Sequence, residues 1–166
     1  NAPGSAVTAT MEGTRPILIE LQALASATAF GTPRRTILGL DHNRVSLLVA
    51  ILEKQIGMQL MGHDIFMNVA GGVKADEPAL DMGIIAAIAS SFSDRPVAEG
   101  LIVLGEVGLT SEVRAISHAE IRVAESKKMG FTQCLIPEGN LRRMTEIKGI
   151  DVKGISTVSD AMEILF

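Results

Sequence analysis

The chain has 166 residues, 47% of them hydrophobic and 3% aromatic, with no Trp or Tyr and a formal net charge of −4. That length buries one sizeable core rather than two; the scarcity of aromatics removes most stacking platforms for single-stranded nucleic acid, and the charge means that binding a polyanion requires a local basic patch. The single cysteine, Cys134, excludes an internal disulfide or a multi-cysteine zinc site, and no apolar run is long enough to cross a bilayer, so a soluble, cytoplasmic domain without membrane contact is expected.

The chain opens at Asn1 with APGSA, which suggests a piece of a longer protein, with residues 1–5 as a linker remnant and 6–166 as one domain. In AVTATMEGTRPILIELQALAS, Val7, Ala9 and Met11 share one face and Ile17, Ile19, Leu21 and Ala23 another, a pattern of two strands joined by a short turn. FGTPRRTILGLDHN is a polar connection carrying Arg34 and Arg35. Asp41 then stands as an N-cap, and Val45, Leu48, Val49, Leu52 and Ile56 recur at helical spacing until Gly57, predicting a helix over 42–56.

HDIFMNVAGG reads as a strand ending in a glycine turn. Pro78 suits a first helical turn, with Asp76 and Glu77 complementing its positive end; from Met82 to Ala89 that helix is apolar on every side and belongs at the centre of the fold. LIVLGEV is a strand, followed by a short one near 112–115. Ser117 and Glu120 have capping-box spacing for a helix over 118–129 that Gly130 can close. TQCLIP then reads as a strand, PEGNLRRM as a short helix, GIDVKGI as a strand and TVSDAMEIL as a closing helix. Strands and helices are intermixed without strict alternation, which points to α+β with a mixed sheet.

No phosphate-binding G-x-x-x-x-G-K-[ST] occurs; AGGVKA lacks the glycine spacing and the hydroxyl after lysine. HExxH and G-x-S-x-G are also missing, and His42, His63 and His118 have no metal-type pairing. The stretch DEPALDMG at 76–83 has the form of a loop turning into a helix, a place where many enzymes present a nucleophile, yet the residue after Pro78 is Ala79. Together with GEVGLTSEVRAISHAE at 105–120, it resembles the two signature blocks of Lon-type serine protease domains. The similarity runs from about residue 40 onward and includes LIPE at 135–138.

In that family the first block holds a serine nucleophile after a proline, and the second supplies a general-base lysine fifteen residues past its Gly-Glu. Carried over, those positions are Ala79 and Glu120, so the resemblance implies a degenerate dyad. Ser90, Ser91, Lys127 and Lys128 lie too many helical turns away to replace it. Glu120 reads more naturally as the third residue of the capping box. An alternative gathers Asp76, Glu77, Asp81, His118 and Glu120 into an acidic metal or hydrolytic site, leaving a residual hydrolase in the altered pocket.

GTRPILIELQAL at 13–24, PRRTILGLDHNR at 33–44, NVAGGV at 68–73 and the DEPALD block together resemble the C-terminal, Lon protease-like domain of the RadA (Sms) family of bacterial DNA repair proteins. The resemblance implies a domain that follows a zinc finger and a RecA-like ATPase, so ATP, magnesium and zinc would belong to those upstream domains and no cofactor to this one. It further implies DNA binding, a hexameric ring, branch migration in recombination and a recombinase as partner in the bacterial cytoplasm. Arg34, Arg35 and Arg44, with His42 and against Asp41 alone, form a local basic cluster suited to phosphate oxygens. Lys54, Arg95, Arg142 and Arg143 are further candidates. Backbone contacts of this kind bind duplex at least as well as a single strand. The competing reading makes the domain an oligomerisation scaffold whose arginines meet neighbouring subunits.

Overall fold

In the computed structural model, which describes residues 1–166, the first two alternating runs form an antiparallel hairpin. β1 (Ser5–Glu12) pairs with β2 (Arg15–Ala27) from Ser5↔Gln22 to Glu12↔Arg15. Then come β3 (Arg35–Leu38), α1 (His42–Ile51), β4 (His63–Val69), α2 (Asp81–Ser93), β5 (Leu101–Val103), β6 (Glu106–Val107) and β7 (Val113–Arg114). They are followed by α3 (Ala119–Lys128), β8 (Gln133–Pro137), α4 (Glu138–Leu141), β9 (Asp151–Ile155) and α5 (Val158–Leu165). Seven strands make one mixed sheet in the order β3-β4-β2-β1-β5-β8-β9, and β6 and β7 form a separate ribbon. The mixed α+β architecture read from the sequence is the one observed.

β1 lies inside the sheet and is covered on both sides. Ala6, Thr8 and Thr10 are buried towards the larger core, which α1, α2 and α5 share with Ile19 and Leu21. Ala9 faces a smaller core with Ile102, Leu104, Cys134, Ile136 and Val123 of α3. The expected face of Val7, Ala9 and Met11 is therefore real, but its opposite is no solvent face. α2 is buried continuously from Asp81 to Ser90, as its all-round apolarity predicts.

Several local expectations are corrected. Arg35–Leu38, read as connection, is an edge strand parallel to β4. LIVLGEV is broken after Val103, and Glu106–Val107 turns away to pair with Val113–Arg114. Residues 1–5 lie against the domain: Gly4 N–H donates to Ser90 Oγ at 2.9 Å, and Ser5 opens β1. Asp41 does cap α1, accepting from the Asn43 amide, and the helix continues through a π-helical turn, Leu52–Ile56, to Gly57.

The Ser117–Glu120 capping box does not form. His118 takes the N-cap position of α3 in a left-handed conformation with no side-chain cap bond, so the helix starts one residue later than the motif needs. The Ser117 carbonyl accepts from Arg122 Nε instead. A capping box does start α5, where Thr157 and Asp160 satisfy each other's amides.

Gly105 joins the break after β5 to the start of α2: its amide donates to Ala79 O and its carbonyl accepts from Met82 N, both at 3.0 Å. A Cβ here would lie 2.8 Å from Val113 Cγ1 and 3.0 Å from Met82 Cγ. Gly105→Ala is expected to cost about 1–3 kcal/mol through overpacking, read as a lower urea midpoint with unchanged slope. On the ribbon, the Thr110 hydroxyl and then Arg114 hold the Glu112 carboxyl down to about 2. Its folded value is depressed, so this contribution is full above the unfolded glutamate pKa and is lost as pH falls through about 2. An NMR titration of the Glu112 side chain should show that midpoint, and Arg114→Gln should raise it.

Candidate functional site

The two signature blocks meet at the turn before α2. Pro78 opens a single 3-10 turn, Pro78–Leu80, closed by Leu80 N–H to Glu77 O at 3.2 Å. This leaves Ala79 5% exposed, with its carbonyl bound to Gly105. A cleft of about 160 Å³ opens beside the turn, lined by Asp41, Arg44, Ala75, Asp76, Glu77 and Pro78 among others.

Just past the second block, it is the side chain of Arg122, not that of Glu120, that reaches this turn. Arg122 is 1% exposed, and its Nη1 pairs with Glu77 Oε1 and donates to Ala9 O at 2.7 Å. Glu77 Oε2 also accepts from Met11 N–H at 3.3 Å. One guanidinium thus ties α3, β1 and the turn together. Residues two apart on a helix point about 200° apart, so with Arg122 facing inward Glu120 faces solvent, where it accepts from Thr145 N–H at 3.3 Å. The signal was present in the sequence: Ala119, Arg122, Val123 and Ser126 are the buried stripe of α3 at i, i+3, i+4 and i+7. Chemically, the methyl of Ala79 offers no nucleophile, and a guanidinium stays protonated and offers no lone pair for a base.

A second fork lies at the start of α2. Arg44 Nε donates to Asp81 Oδ1 at 2.9 Å, Nη2 pairs with Asp81 Oδ2 and donates to Val107 O at 3.1 Å, and Val107 N–H donates to Asp81 Oδ2 at 2.9 Å. Asp81 is fully buried. Burial pushes its carboxyl up against the pull of the Arg44 fork and the Val107 amide, while the hydrogen bond to Asp81 raises the Arg44 pKa.

The basic cluster read from the sequence is therefore divided. Arg44 is committed to Asp81. Arg35 folds back, donating from Nη1 to His63 O at 2.6 Å. Arg34 is exposed; its amide and the Thr28 hydroxyl occupy Asp64 Oδ1 at 2.8 and 3.0 Å. Of the other candidates, Arg142 pairs with Glu138 and Arg95 meets the Phe166 carbonyl and ring, whereas Lys54 and Arg143 are exposed.

The alternative acidic site does not assemble. Asp81 is held by Arg44, Glu77 by Arg122, and Glu120 reaches Thr145. No group of three His, Cys, Asp or Glu residues is arranged to hold a metal ion, and no helix is long and apolar enough to cross a membrane.

Because Arg44 neutralises a buried carboxylate, Arg44→Ala is expected to destabilise the domain by about 3–5 kcal/mol, measured by urea unfolding. An Arg44→Met, Asp81→Leu pair should recover most of that loss, which a phosphate-binding role alone for Arg44 would not produce.

Residues 23–140 match the family model described as subunit ChlI of Mg-chelatase. Over 96% of its length the chain is 55% identical to the DNA repair protein RadA of Bacillus subtilis (strain 168), covering 35% of that protein. It is 54% identical to RadA of Halalkalibacterium halodurans over 97% of the chain and 35% of the relative. With RadA of Streptococcus pneumoniae it shares 46% identity over 99% of the chain and 39% of the relative. The chain thus spans a little over one third of the length of these curated relatives. It belongs to the family of that ChlI model, and within it matches the DNA repair protein RadA along nearly its whole length.

Proposed function

We propose that this chain is the non-catalytic, Lon-like module of a RadA-type DNA repair protein and contributes DNA contacts and ring assembly to it. The observation that carries the non-catalytic reading is the junction of the two blocks, where a buried methyl and an ion-paired guanidinium stand at the turn. The relatives' name, DNA repair protein, supports a DNA-related role. In the whole protein a DNA-dependent ATPase would lie upstream, with its ATP, magnesium and zinc, drive branch migration in recombination, and meet a cellular recombinase.

DNA contact is assigned to Arg34, with Arg35 as its neighbour on the edge strand. Arg44 serves by holding the start of α1 against α2 rather than by meeting phosphate. Self-association draws support from an uncovered stretch of sheet, since Leu24, Leu38 and Phe66 are exposed on adjoining strands, with Phe66 opposite both Leu24 and Thr36. Three large apolar side chains on one face are suited to a subunit contact. The purely oligomeric scaffold remains the second reading, favoured by the same face and by how few of the expected arginines are free.

Fluorescence anisotropy of a labelled duplex at several salt concentrations tests the DNA role against an Arg34→Glu, Arg35→Glu variant of unchanged oligomeric size. The parent should bind with a steep salt dependence, each phosphate neutralised contributing about −0.9 to the log–log slope, and the variant should lose affinity and slope together. No binding by the parent at low salt, with self-association intact, would leave the scaffold reading.

A further inference from the structure

The loop between β2 and β3 carries Phe30, which is 91% exposed. Thr28 N–H donates to Gly62 O at 2.8 Å, which brings Met61, 77% exposed, to the same end of the domain. Scattered apolar residues on a surface need no explanation; what sets Phe30 apart is the chemistry around it. Residues 28–40 contain two arginines and no carboxylate. The acid at this end, Asp64, is occupied by the Thr28 hydroxyl and the Arg34 amide. Phe30 is followed by Gly31, where a Cβ would meet nothing within 4 Å beyond its chain neighbours, so the loop itself is open at this point.

The immediate neighbours Ala29, Gly31 and Thr32 are small, and Pro33 and Arg34 follow. One ring, even with Met61 at the same end of the domain, offers too little apolar area for a stable protein interface, but enough for one planar partner. Every nucleobase has such a face, and base–aromatic stacking is tolerant of sequence. Arginine four residues on supplies a planar, permanently charged fork for a phosphate.

From this arrangement we infer that Phe30 is a stacking platform for an unpaired base of single-stranded nucleic acid, with Arg34 on an adjoining phosphate. The inference rests on the DNA-binding reading above and changes its corollary: a chain poor in aromatics has placed one of its five phenylalanines where an open strand can reach it. Single strands then gain a contact that duplex, with its bases already stacked, does not.

Because the chain has no Trp or Tyr, Phe30→Trp introduces a sole indole at the loop. Titrating that variant with oligothymidylate should quench its emission, and a duplex of equal length should quench it far less. In anisotropy with labelled oligothymidylate, Phe30→Ala should lose roughly fivefold to a hundredfold in affinity while its duplex affinity and melting temperature stay unchanged. Arg34→Glu should weaken both. An indole that stays unquenched while anisotropy shows oligothymidylate bound overturns the stacking contact and leaves the DNA reading standing. Absence of any binding by the parent at low salt overturns both. If Phe30→Ala alters oligomeric size but not oligothymidylate affinity, the ring is a protein contact and the inference fails.

Discussion

A helix with no exposed face sets the terms for this domain. α2 is buried from Asp81 to Ser90, so the carboxylate at its first position has no access to water and must be satisfied by protein groups. The Arg44 fork and the Val107 amide supply them, and in doing so join the start of α1, the start of α2 and the β6–β7 ribbon. Ionised pairs in such surroundings stabilise little in net terms, but removing either partner is costly because the other is left buried and uncompensated. The position of α1, and of the loop that enters it from β3, follows from that constraint.

The turn just before Asp81 is built on the same physics. Glu77 is held by Arg122 across the sheet, Ala79 is bound to Gly105 through its carbonyl, and Gly105 in turn holds the Met82 amide. A loop whose shape could present a nucleophile is here a joint between α3, β1 and α2. Its polar groups are consumed in holding the fold, and the side chain at the position of greatest chemical interest is a methyl.

The two faces of the sheet are unequally covered. α3 shields β1, β5 and β8 on one side through Val123, Ala9, Ile102 and Cys134, but the same side of β2, β4 and β3 carries Leu24, Phe66 and Leu38 outward. The arginine-bearing loop and Phe30 project from that less covered half. Leu24, Phe66 and Leu38 thus stand on a face of the sheet that no helix shields, whereas Glu77 and Asp81, beside the turn before α2, are taken up by Arg122 and Arg44.

Much of this was legible in the chain itself. The hairpin, the all-buried α2, the helix beginning after Asp41, the strand through Cys134 and the methyl side chain after Pro78 are read directly from periodicity, capping chemistry and local sequence. These are short-range properties, fixed by which side chains stand next to one another. What the linear order could not settle is which charges meet. Arg44 and Asp81 are thirty-seven residues apart and Arg122 and Glu77 forty-five, so a cluster that reads as a free basic patch is divided by partners supplied from elsewhere in the fold. The capping box at Ser117 failed because a left-handed His118 moved the helix start, and Glu120 with it, to the solvent side. Composition announced few aromatics; only the tertiary structure decided that Phe30 would stand almost wholly in water.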